Sequence, residues 1–332
     1  MQLVIVGNGF DIAHNIESKY IQFRKYLKQN DTPEYDFLCA LFGNEFNQDE
    51  FWWNFEESLE RADFSNLVPF IKPQENLLNQ ENGENENAGE IPEIILKAKI
   101  LQLKKDFYQW ISKAYNDKAA CTQKKQLKKI FSDSIVLNFN YTSTVEDIYG
   151  KKSYHIHGHI KDVNIENDHD IEKIILGHAD RGFSYESSSG EIIESKGSCF
   201  VGDTGACILA EDVFLCPQKW YSNDDAIQRS LSEASDAYTF QFTKKCQSII
   251  KRDSTGFFKE LRNNCLRIDK IVVLGHSLSQ VDLEYLKEIV KILEPHYCSI
   301  QWIVSEHENN RSGIKEKINN IAPTENISFI TI

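Results

Sequence analysis

The heptapeptide Tyr154-His155-Ile156-His157-Gly158-His159-Ile160 carries three histidines at alternate positions. In an extended chain, alternate side chains leave the same face. A strand here would therefore bring three imidazoles to one place. Three chemistries fit that pattern: a metal held by His155, His157 and His159, a general base with two bystanders, or ordinary polar residues closing a strand. A metal centre needs further ligands from other strand ends, and Asp168, His169, Asp170, His178 and Asp180 lack a tight spacing. Gly158 would let a substrate come close to the His157 imidazole, which ranks His157 first as base and metal ligation last.

Three more stretches pair small or polar residues with the end of a short apolar run: Gly7-Asn8-Gly9-Phe10-Asp11, Asn140-Tyr141-Thr142 and Gly275-His276-Ser277. Glycines at 7 and 9 can bring backbone N–H groups close to a diphosphate at a helix start, or simply make a turn, with Asp11 as a helix cap. The Asn140 amide can donate to and accept from a ligand, or close an Asx-turn. Ser277 suits the N-cap of a following helix and can hold phosphate or ribose with neighbouring amides, while Asp282 would favour the helix dipole.

These stretches need a scaffold that gathers strand ends. Residues 2–6, 134–139 and 270–274 read as buried aliphatic strands, with further strands expected at 154–157, 173–177, 299–304 and 327–332. Helical periodicity fills most of the intervals, beginning at Tyr20, Phe23 and Leu27. The alternation predicts an α/β fold with a Rossmann-like, doubly wound parallel sheet, in which ligands sit beyond the carboxyl ends of the strands. Residues 34–130 read as a helical insertion centred on "FWWNFEESLE", with a flexible polar loop near 79–90. Residues 178–212 read as a long loop or hairpin insertion. All of it belongs to one α/β domain over residues 1–332.

The formal charge of −13, from 50 acidic against 37 basic residues, disfavours tight nucleic-acid binding. The eight cysteines form no C-x-x-C pair and read as reduced thiols. The sequence offers neither a signal peptide nor a run of ~18 apolar residues for a membrane span, so a cytoplasmic protein with no membrane partner is expected.

Taken in order, "VGNGFDIAH", "FWWNFEESL", "LNFNYTSTVE", "HIHGHI" and "VVLGHSLSQVDLEYL" resemble the bacterial abortive-infection family AbiH across nearly the whole chain. That resemblance implies a role in defence against phage. The same order is similar to the sirtuin-like NAD-binding fold, whose glycine turn, strand-end Asn motif, His-Gly pair and Gly-Thr-Ser-Leu turn match Gly7 to Phe10, Phe139 to Tyr141, His157-Gly158 and Gly275 to Leu278. The likeness implies His157 as base and Asn140 as the residue positioning ribose or the attacking water. It places Gly7, Asn8, Gly9, Phe10, Asp11, Tyr141, Thr142, Gly158, Gly275, His276 and Ser277 around a dinucleotide. Three departures stand out: no paired-cysteine zinc module, Thr142 in place of an acidic residue, and Asn8 in place of alanine.

The expected activity is hydrolysis of NAD to nicotinamide and ADP-ribose, without a metal. Two alternatives remain: a non-catalytic defence protein that senses a nucleotide or binds a partner, and a metal-dependent hydrolase using His155, His157 and His159. A phage or host protein trigger and homo-oligomerisation are both left open.

Overall fold

A computed structural model describes residues 1–63, 66, 90–118, 124–177, 183–186, 192–195, 199–201, 207–209, 256–306 and 311–332. The chain divides into two compact units, one formed by Met1–Asp31, Lys104–Leu176 and Ser248–Ile332, the other by Thr32–Leu103 and Gly177–Gln247.

The first unit is built on a six-stranded parallel sheet. Its strands are β1 (Gln2–Val6), β2 (Ser134–Asn138), β3 (Tyr154–His155), β8 (Lys270–Leu274), β9 (Gln301–Ser305) and β10 (Ile327–Ile330). The order across the sheet is β10-β9-β8-β1-β2-β3. β1 is central, with Gln2 beside Ser134 and Lys270, and Val6 beside Asn138 and Leu274. The chain winds outward from β1 in one direction through β2 and β3, then returns to wind the other way from β8. That is the doubly wound order, and its switch point lies between β1 and β8.

Alternation along the strands divides the core in two. Leu3, Ile5, Ile135, Leu137, Ile271 and Val273 face a layer that includes Phe257, Phe258, Tyr285, Leu286, Ile289 and Leu293. Val4, Val6, Val136, Val272 and Leu274 face the opposite layer with Phe10, Leu127, Phe131, Val145 and Tyr149. Strands buried on both faces must be apolar throughout, which is why these segments are recognisable as aliphatic runs. The helix Leu283–Leu293 contributes Tyr285, Leu286, Ile289 and Leu293 as one buried stripe, the spacing expected of a helix covering a sheet.

Two expected strands differ. β3 stops at His155 instead of 157: Ile156 and His157 already form a turn, and Gly158 follows it with φ +97°. A Cβ on Gly158 would sit 2.6 Å from the Lys173 carbonyl oxygen. Residues 173–177 do not form a strand. Ile174, Ile175 and Leu176 are buried as irregular chain, held by the Ile175 N–H donating to His157 O at 2.9 Å and the Tyr141 hydroxyl donating to Ile175 O at 2.8 Å.

In the second unit, helix Thr32–Phe42 leads to an aromatic cluster of Phe42, Phe46, Phe51, Trp52 and Phe55. Trp52 stacks on Phe55 with 5.0 Å between ring centroids and donates its indole N–H to Phe46 O. Its neighbour Trp53 is 65% exposed. The unit also contains two antiparallel pairs, β4 (Phe183–Glu186) with β5 (Ile192–Ser195) and β6 (Cys199–Val201) with β7 (Cys207–Leu209). Most of the loop expected near 79–90 and most of the insertion expected over 178–212 lie outside the described residues.

Candidate functional site

In a parallel sheet, the chain leaves every strand at the same edge. The segments after β1, β2, β3 and β8 therefore meet there, and hydrogen bonds tie them together. At the switch point, Gly7 N–H donates to Leu274 O at 3.0 Å and Gly9 N–H donates to Gly275 O at 2.8 Å. Gly275 has φ +65°, and a side chain on it would strike the Phe10 and Gly9 backbone. A Cβ on Gly7 would sit 2.6 Å from His276 Cα. The glycines of both turns thus permit two backbones to touch.

Asp11 is 1% exposed and lies at the centre of one polar cluster. The Thr142 hydroxyl donates to its Oδ2 and the Thr144 hydroxyl to its Oδ1, both at 2.6 Å. Burial pushes the Asp11 carboxyl up from the usual 3.8 to about 6, against the pull of Thr142, Thr144, Asn140 and the His155 charge. Asn140, 5% exposed, donates its side-chain N–H to Gly7 O at 3.1 Å and its backbone N–H to Asn138 Oδ1 at 3.0 Å. Asn140 therefore spans the ends of β1 and β2.

The three histidines do not share a face, because the chain turns after β3. His155 and His159 stack with 4.0 Å between ring centroids and 20° between planes. His155 lies 2.8 Å from Asn140 O through Nδ1 and 3.2 Å from Glu146 Oε1 through Nε2. His159 Nε2 is 2.7 Å from the Ser143 hydroxyl. Burial, then the His155 charge, pushes the His159 imidazole below its ordinary value. Burial would raise the Glu146 carboxyl, but the hydrogen bond and charge of His155 and the Ser153 hydroxyl outweigh it and hold the group at about 2.

His157 faces elsewhere. Its Nε2 lies 3.3 Å from Asp282 Oδ1, an ion-pair distance without hydrogen-bond alignment, and His276 Nε2 lies 3.2 Å from Asp282 Oδ2. Leu278 N–H donates to His276 Nδ1 at 3.0 Å, so the proton of a neutral His276 sits on Nε2, facing the carboxylate. The side chains of His157, His276 and Asp282 are 4%, 4% and 8% exposed. Phe139 packs edge-on against both imidazoles, with centroids 5.1 Å from His157 and 4.3 Å from His276. Tyr141 lies 6.3 Å from His157. The two residues flanking Asn140 therefore both touch the His157 ring, linking the two clusters. A desolvated carboxylate held between two imidazoles keeps one ring oriented and stabilises it once protonated.

The residues singled out in the sequence are thus distributed unevenly. Gly7, Gly9, Asp11, Asn140, Tyr141, Thr142, His157, Gly158, Gly275 and His276 gather at this edge. Phe10 is buried among Phe131, Tyr149 and His14 on one face of the sheet. The Asn8 side chain is engaged with Ser18 on both sides, donating to Ser18 O at 2.8 Å and accepting the Ser18 hydroxyl. Ser277 is exposed and caps no helix; residues Gln280–Asp282 form a 3-10 turn, and the α-helix follows from Leu283. Thr144, Glu146 and Asp282 were given no part in the site from sequence, and His155 only a part in the metal-dependent alternative, although the polar run "NYTSTVED" was a signal for the first two. Among the described residues, no group of three or more His, Cys, Asp and Glu is arranged to hold a metal ion, and no helix is long and apolar enough to cross a membrane.

Searches of curated proteins and of solved structures returned no match. The family model for bacteriophage abortive infection AbiH matches residues 3–305, a span that contains every residue of the two polar clusters, and the chain belongs to that family.

Proposed function

We propose that the chain serves abortive infection by hydrolysing NAD to nicotinamide and ADP-ribose, with His157 as base and Asn140 positioning the ribose or the attacking water. Family membership supports the defence role. The observation that carries the chemistry is the His157–Asp282 pair at the carboxyl edge of a doubly wound sheet, with Asn140 between two residues that touch the His157 ring. In the reaction, the bond from ribose C1′ to the pyridinium nitrogen breaks and its electron pair leaves with nicotinamide. Water oxygen bonds to C1′, and the water proton passes to His157 and then to solvent. The leaving group becomes neutral on departure, so little acid assistance is needed. A held water and an oriented base meet the remaining requirement.

The test is nicotinamide release by the purified chain, with infected-cell lysate added in a parallel arm as a source of trigger. His157→Ala and Asn140→Ala should each lose on the order of 10²- to 10⁴-fold in rate. Equal activity in parent and both variants would remove the assignment. A second reading, a nucleotide sensor without turnover, draws on the commitment of the Gly7 and Gly9 amides to backbone acceptors. It expects NAD to raise the melting temperature while nicotinamide release stays at background.

A further inference from the structure

We propose that the outer edge of β10 pairs with the same edge of a second copy of the chain, across a two-fold axis at Phe329. The surface stands on backbone geometry and does not depend on the hydrolysis proposed above. β10 is an outermost strand of the sheet and pairs with β9 alone. Trp302 N–H donates to Asn326 O at 2.8 Å, and Glu306 N–H donates to Ile330 O at 2.9 Å. With Ile327 beside Trp302 and Ile330 beside Ser305, these bonds fix which residues face β9. Asn326, Ser328 and Ile330 turn their backbone groups inward, so Ile327, Phe329 and Thr331 turn theirs outward. Proteins commonly blunt such an edge with lysine, proline, a bulge or a covering segment. Here residues 326–332 include no charged residue and no proline, and all four residues of β10 are half-buried.

The outward groups select the occupant. Two of them are already engaged: Ile327 N–H donates to Glu325 O at 3.0 Å, and Thr331 O accepts from Gln126 Nε2 at 2.9 Å. Among the described residues, the Ile327 carbonyl, both Phe329 groups and the Thr331 N–H remain. In an antiparallel pair with Phe329 opposite its counterpart, each Phe329 N–H donates to the other Phe329 O, and each Thr331 N–H donates to the other Ile327 O. The further bond of this register, from Ile327 N–H to Thr331 O, is the one whose groups are both satisfied within each copy. A foreign strand has no such match. Ile327 then lies opposite Thr331, and Ser328 opposite Ile330, with no like charges facing. Gln126 brings the start of helix Lys125–Ser132 to the Thr331 end, so exposed Lys125 and Lys129 approach Glu325 of the second copy. Arg311, 5.3 Å from the Phe329 ring centroid, is paired with Glu306 and adds no unbalanced charge at the axis. The two six-stranded sheets continue as one, with the two candidate sites at opposite edges.

The test is sedimentation velocity of the full chain across about a hundredfold range of concentration, which should show a monomer–dimer equilibrium. Amide hydrogen exchange by NMR at both ends of that range locates the contact. The Phe329 and Thr331 amides should exchange more slowly as the dimer forms, whereas Ser328 and Ile330, bonded to β9, should be protected throughout. Thr331→Pro removes an outward donor outside the ladder. It should weaken the dimer on the order of 10-fold or more, two hydrogen bonds being lost per dimer. Thr331→Ala, which keeps the N–H, should leave the equilibrium unchanged. Glu325→Lys, an exposed change that sets like charges against Lys125 and Lys129, should also weaken it and decides the matter if Thr331→Pro fails to fold. A chain that stays monomeric throughout would overturn the proposal. So would a dimer in which Phe329 exchanges as fast as in the monomer, or one that the folded variants leave intact, since the contact would then lie elsewhere.

Discussion

Asp11 offers a direct test of how the polar cluster is held. Its carboxyl is raised from 3.8 to about 6 by burial, so between those values the folded chain holds a proton that the unfolded chain has released. The contribution of Asp11 to stability therefore falls as pH rises from about 3.8 to about 6, and levels off above that. At about 1.4 kcal/mol per pH unit, the full loss is about 3 kcal/mol. Asp11→Asn removes the titration and nearly preserves the contacts, because the Thr142 and Thr144 hydroxyls lie 2.9 Å apart and one can donate to the other. That turn frees an oxygen to accept from the new amide. Urea unfolding of parent and variant at pH 4 and pH 7.5, followed through the amides of β1 and β2 by hydrogen exchange, gives a double difference in which constant offsets cancel. The variant should gain about 2 to 3 kcal/mol on the parent between the two pH values. A difference that does not change with pH would mean that Asp11 ionises as it does in water, and the reading of a desolvated, charge-strained carboxylate would be wrong.

Asp282→Asn should lower nicotinamide release by at least about 10²-fold, because the remaining amide cannot stabilise a protonated His157; an unchanged rate would detach the pair from the chemistry. Gly275→Ala should unfold or severely destabilise the sheet unit, since its new methyl meets backbone at a positive φ. Gly256→Ala, with φ +69° and open space around it, should cost only on the order of 1 kcal/mol. Thermal melts of the two variants that came out alike would refute the close packing of the turns. Asn8→Ala should cost roughly 1 to 2 kcal/mol through the lost Ser18 hydrogen bonds, which a change in melting temperature will report.

The strands that could be recognised from sequence were those buried on both faces. β1, β2 and β8 have a signature that needs no neighbour to interpret, since their inner positions are apolar on both faces. The segment at 173–177 shows the weakness of the same rule: Ile174, Ile175 and Leu176 are equally apolar and equally buried, yet their backbone groups bond to His157 and Tyr141 and not to a ladder. Periodicity reports burial, and only tertiary pairing makes a buried run a strand. The site divides in the same manner. Asn140 and His157 were visible because residue type and position at a strand end coincide. Asp282 was not, because a carboxylate at a helix start has an ordinary local explanation, and its place between His157 and His276 depends on the separation of β3 from β8 across the sheet. The expectation of three imidazoles on one face failed because the chain turns at Ile156 and His157, directly after β3, before the alternation can operate.

The central position of β1 has a consequence for synthesis. β1 is synthesised well before its neighbour β8, which begins roughly 260 residues later in the chain. At about 5–20 residues per second, the gap is on the order of 15 to 50 s. During that interval one edge of β1 lacks its native neighbour, and Asp282 has not yet been made. A nascent chain therefore cannot bring His157 and Asp282 together until the segment after β8 has been made.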